Sequence, residues 1–138
     1  MMKYITTLFV FFGIWLLASF INGVISGICL SVMSSEEFGN ETFSLSMVFS
    51  FLFSVPLVSI VWVVTTVAQL AGSKGLSLFK VVVLAAVCSA LTGAGFFITA
   101  FNKDFKEASY AVGASIVFSA ITAVTSFRNQ FKKYDTTV

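Results

Sequence analysis

The chain contains no histidine, one proline, two cysteines and only fourteen charged residues, eight basic and six acidic, among 138. Each shortage closes off a class of function. Without histidine there is no Ser-His-Asp triad, no imidazole ligand for haem and no histidine-based zinc site for hydrolysis. Cys29 and Cys88 lie on different apolar runs with no C-x-x-C, so they read as small packing residues rather than a redox pair. A charged fraction of 10% falls far below the roughly 25% that a soluble domain needs to face water. Most of this surface must face lipid.

What is abundant is apolar: 58% of the residues are hydrophobic and seventeen are phenylalanine. No Asp, Glu, Lys or Arg occurs between Lys3 and Glu36, from Thr42 to Ser73, from Val81 to Asn102, or from Ala108 to Phe127. About 20 apolar residues in a helix cross about 30 Å of hydrocarbon. The four runs therefore predict four spans, at about 5–32, 43–71, 78–101 and 107–128. Transmembrane strands would alternate polar and apolar residues over segments of about ten, and these runs are continuous; helices are the other way to satisfy the backbone in lipid. The first run continues past Ala18 and Gly23, where a cleaved signal peptide would already have ended, and reads as a retained span. The expectation is a single membrane domain over 1–138, with no room in it for a nucleotide-binding domain, a nucleic-acid module or a globular catalytic head.

The connections, 34–42, 72–77 and 102–107, are short, and short connections make sequence neighbours pack antiparallel in an up-down-up-down bundle. The fold expected is thus an all-α, four-helix antiparallel membrane bundle. Pro56 falls near the middle of the second run, where its missing N–H frees the carbonyl of Leu52 and predicts a kink. Positive residues favour the cytoplasmic side. With both termini inside, Lys3, Lys74, Lys80, Arg128, Lys132 and Lys133 are inside and only Lys103 and Lys106 are outside, so the N-in, C-in orientation is expected. Glu36, Glu37, Glu41, Asp104 and Glu107 then all lie outside. Two lysines against five acids leave that face at −3, and six basic residues against Asp135 leave the inner face at +5. The outer acids are either ordinary solvated loop residues or a patch for a cationic partner; Glu36, Glu37 and Glu41 are the candidate partner-binding residues.

No Asp, Glu, Lys, Arg or His lies within the four uncharged runs. Proton-coupled transporters, pumps and voltage sensors mark their pathways with such groups, and small multidrug transporters of this size depend on a glutamate in the first span that is absent here. No catalytic residue, metal ligand or cofactor is expected, and the chain reads as a non-enzyme. The runs do carry rows of small and hydroxylated residues at helical spacing, which in lipid are packing signals. Gly23 and Gly27 form a G-x-x-x-G pair continued by Ser19 and Ser31. Ser46, Ser50 and Ser54 line the second span, Ala86, Ala90 and Ala94 the third beside Ser89 and Gly93, and Ser115, Ser119 and Ala123 the fourth. These rows are seams within one bundle, seams between subunits, or the lining of a polar pore. Asn22, an amide deep in the first span, requires a hydrogen-bond partner, for which a serine of the second span is the nearest candidate.

Trp15 stands twelve residues from Lys3 and Trp62 twelve from Lys74, roughly 18 Å at the rise of a helix. Both sit too deep for an interfacial belt and read as packing residues. Phe127, Phe131 and Tyr134, among Arg128, Lys132 and Lys133, form a basic-aromatic tail suited to an anionic leaflet; nucleic acid is not expected as a partner. Asn40-Glu41-Thr42 matches a glycosylation sequon but abuts the membrane, and no glycan is expected.

In size and topology alone the chain is similar to immunity proteins of pore-forming bacteriocins. That resemblance implies a non-catalytic guard of the bacterial inner (plasma) membrane that contacts a toxin. The expected function is accordingly a membrane-embedded partner-binding or accessory protein. Its partners would be the bilayer and another membrane or extracytoplasmic protein, in a homo-oligomer or hetero-complex. The rival is an oligomeric, holin-like pore or small channel lined by Ser50, Ser54, Ser115 and Ser119.

Overall fold

The structure is a computed structural model describing residues 2–33, 40–101, 103 and 106–133, with the side chains of 7–30, 32, 44–100, 103 and 106–131. Regular structure among these residues is entirely helical: α1 Met2–Met33, α2 Asn40–Leu70, α3 Gly75–Phe101, α4 Lys106–Ser126 and the short α5 Arg128–Lys133. The first four are long and apolar enough to cross a membrane, over Thr7–Leu30, Ser44–Leu70, Gly75–Ala100 and Lys106–Ser126. Such helices satisfy their interior backbone groups within themselves, as a bilayer core demands, apart from the Leu52 carbonyl, for which Pro56 has no N–H.

The helices form a ring in chain order. α1 packs on α2, α2 on α3, α3 on α4, and α4 closes back on α1. Each seam carries one glycine at a point of close approach. A Cβ on Gly23 would stand 3.2 Å from the Cα of Met47, at α1 against α2; one on Gly93 would meet Leu57 at 2.8 Å, at α2 against α3. At α3 against α4, Gly113 faces Ile98 at 2.9 Å, and Gly13 of α1 faces the ring of Phe127 at 2.9 Å. Without a hydrophobic force between helices in lipid, van der Waals contact at such points supplies much of the attraction; the approach is closest to backbone at Gly23, whereas at the other three the facing atom is the end of a side chain.

α2 ends in a Schellman cap: the N–H of Ser73 donates to Ala68 O at 3.0 Å and that of Gly72 to Gln69 O at 3.0 Å. The cap needs a left-handed residue, and Gly72 supplies it at φ 90°. α2 runs on through Pro56, which sits on an exposed face of the helix. It is also the least enclosed helix, with 11% of its apolar window buried against 44% for α4, so one side of the ring turns largely outward.

At the end bearing the α2–α3 turn, Val10, Phe11, Ile14, Val61, Leu78, Val82 and Phe131 form the main core. Toward the other end a smaller cluster of Ala90, Val112 and Ile116 packs with Phe53, Leu57 and Phe97. α5 folds back at Phe127, whose carbonyl accepts from the N–H groups of Gln130 and Phe131. That turn drives Phe131 fully into the core, between the rings of Phe79 at 5.9 Å and Phe11 at 6.2 Å.

Candidate functional site

The described hydroxyls bond either back along their own helix or across to a neighbouring one. Those on outward faces, Ser59, Thr66, Thr92, Thr99, Thr122 and Thr125, each donate to the carbonyl four residues back on their own helix, at 2.8 to 2.9 Å. A hydroxyl bonded in this way presents no unsatisfied donor to lipid. On inward faces Thr65, Ser109 and Ser119 also bond to their own helices, whereas a group of serines on α1, α2 and α4 bonds between helices around Asn22.

Asn22 Nδ2 donates to Ser50 Oγ at 2.9 Å, joining α1 to α2. Its Oδ1 accepts from Ser115 Oγ at 2.7 Å, joining α1 to α4, and from Ser26 Oγ at 3.3 Å. Ser50 passes its own proton to Ser19 O at 2.8 Å. One turn further along, Trp15 Nε1 donates to Ser54 Oγ at 2.8 Å, and the Ser19 and Ser54 hydroxyls lie 2.6 Å apart. Ser54 can give its proton to Phe51 O at 3.0 Å, which leaves Ser19 as donor to Ser54. Ser46 Oγ reaches Gly23 O at 3.4 Å, and Ser89 Oγ closes the next seam on Leu57 O at 3.1 Å. With that assignment, every chain of donors in the seam ends on a backbone carbonyl or on Asn22 Oδ1. No group in it ionises readily, so the arrangement holds helices together and offers no acid or base for proton transfer.

Ser119, from the small-residue row of the fourth span, is buried and donates to Ile116 O on its own helix. It lines a cavity of about 60 Å³ between the four helices, together with Ser19, Asn22, Ser50, Ser54 and Ser89. That volume is small beside the roughly 300–1,000 Å³ of a typical small-molecule site. Phe11, which also lines the cavity, is buried with Leu78 and Phe131 in the main core. Gly27 is buried like Gly23. Glu36 and Glu37 lie outside the described residues, and so does the side chain of Glu41. No group of three potential metal ligands occurs among the described residues.

On the outward side of α1 and α2, Phe9, Phe12, Trp15, Val55, Ser59 and Trp62 help line an open apolar groove of about 520 Å³. Both tryptophans border it. Trp15 packs against Phe12 and Phe51 at 5.4 and 5.6 Å and turns its N–H inward to Ser54. Three features have little signal in the sequence: the bond from Ser115 to Asn22, the isolated Gly13 and Gly113 contacts, and the burial of Phe131. The first depends on α4 closing against α1, and the glycines stand outside any repeated spacing. Comparison with protein-family models, with curated proteins and with solved structures gives no match.

Proposed function

We propose that this chain is a non-enzymatic, membrane-embedded partner-binding or accessory protein, built as an antiparallel four-helix bundle with both termini cytoplasmic. The observation that carries the reading is the direction of its polar groups. Ser50, Ser54 and Ser115, the hydroxyls a pore would need, are spent on interhelical bonds within one chain. Outward hydroxyls are satisfied on their own helices, and the outer faces are Phe, Leu, Val and Ile. A bundle with a buried apolar core, its charges confined to the ends of its helices, is suited to holding a surface in place at the membrane. Contact pairs support the antiparallel arrangement: Trp15 meets Ser54, Asn22 meets Ser50 and Gly23 meets Ser46, so rising positions on α1 meet falling ones on α2.

The surface that such a scaffold presents outside the membrane includes Glu36, Glu37 and Glu41. Complementary charge there would steer encounter with a cationic partner and fix its register. A toxin is one such partner, and immunity to it one concrete form of the function, in a bacterial inner membrane. Affinity capture from native membranes in mild detergent, followed by mass determination of the intact complex, tests this. A stoichiometric second protein, lost when Glu36, Glu37 and Glu41 are changed together to glutamine, is the expected result. A homo-oligomer alone, unaffected by those changes, would overturn it.

A further inference from the structure

We propose that the end of the bundle bearing the α2–α3 turn binds the phosphate headgroups of anionic phospholipids through Lys74, Lys80 and Arg128. The three side chains are exposed. Lys74 precedes α3, Lys80 lies within its second turn, and Arg128 opens α5, which packs on α3. None has a carboxylate partner among the described residues. Of the described acidic side chains, Glu107 opens α4 at the opposite end of the bundle. With six basic residues against Asp135, a net +5, the face expected to be cytoplasmic attracts anions.

Arg128 is the best defined of the three. Its guanidinium lies 5.9 Å from the centre of the Phe79 ring, a cation–π distance. One turn on, Phe131 is completely buried against Phe79 and Phe11, so α5 is pinned and the arginine is held in position. A guanidinium presents a planar fork that matches phosphate oxygens in pairs. Lys80 supplies the second feature of a lipid site. Leu76 and Leu84, four residues to either side on the same helix face, are exposed at 48% and 66%. A charged head at Lys80 with an apolar chain along Leu84 is the pattern of an amphiphile, which favours a membrane lipid over a soluble phosphate or a nucleic acid.

The test uses the full chain, purified and delipidated in mild detergent, with bound lipid counted by native mass spectrometry. Phosphatidylglycerol and phosphatidylcholine are offered in turn, and glycerol 3-phosphate and a short RNA are added as soluble competitors. The wild type should retain phosphatidylglycerol in preference to phosphatidylcholine, and neither competitor should displace it. Retention should fall about fivefold for each cation removed in K74Q, K80Q and R128Q and their combinations. The single variants keep the test alive if the triple variant fails to fold, and R128K, which retains charge without the planar fork, should fall between wild type and R128Q. Equal retention of the two lipids, unchanged retention in the single variants, or displacement by glycerol 3-phosphate or RNA would overturn the proposal.

Discussion

Asn22 is the residue on which three helices converge, and its substitution has a calculable consequence. Changing Asn22→Leu removes the bonds to Ser50 and Ser115 and leaves both hydroxyls to find new partners. Interhelical hydrogen bonds in membranes average about 0.6 kcal/mol and reach about 1.7, so a loss of about 1–2 kcal/mol is expected, read as a lower melting temperature in detergent. Glycines give a sharper contrast. A side chain at Gly23 would collide with Met47, whereas one at Gly95 would meet nothing within 4 Å. Gly23→Leu should therefore destabilise by about 1–3 kcal/mol, the range for overpacked sites, while Gly95→Leu leaves the melting temperature within a degree or two. Equal effects would show that α1 and α2 do not approach at Gly23. At this scale the sequence is partly legible. An amide in hydrocarbon requires a partner, and Ser50 lies on the neighbouring span, but nothing local to Ser115 reveals that it faces Asn22.

Elements are the most legible level. The uncharged runs announce four spans, and four helices long and apolar enough to cross are present among the described residues, beside the short α5, because a charge within about 30 Å of hydrocarbon is too costly to be placed casually. The helices run past the charges at several ends, so that Lys80 falls inside α3 and Glu107 inside α4. Charge marks the level of the headgroups and says little about where hydrogen bonding stops. α5 is less legible. Alternation of Phe127 and Phe131 with basic residues reads as a tail lying on a leaflet, whereas Phe131 is drawn into the core by the turn at Phe127. Phe131→Ala should free α5 and expose Phe79 and Phe11. The expected readout is faster amide exchange across 128–133 with little change in the middle of α1 and α2; uniform protection in the variant would show that α5 is held by other contacts.

For the whole molecule, the ring order and the inward turn of the hydroxyls come from packing between distant segments, which periodicity alone cannot reveal. Each row of small residues is compatible with a seam, a subunit interface or a pore until the neighbours of each face are known. Orientation is tested by reporter fusions: those after Val138 and at Gly75 should report cytoplasm and one at Gly39 the opposite side. A C-terminus outside would move the acidic segment inward and remove the proposed partner surface. The most direct measurement is the conductance of the purified chain in planar bilayers. A bundle whose serines are bonded inward, and whose core buries Phe11, Leu78 and Phe131, should leave the membrane silent across voltage and concentration. Reproducible unitary currents, abolished by Ser50→Leu or Ser115→Leu, would contradict it and make the polar seam a conduction path.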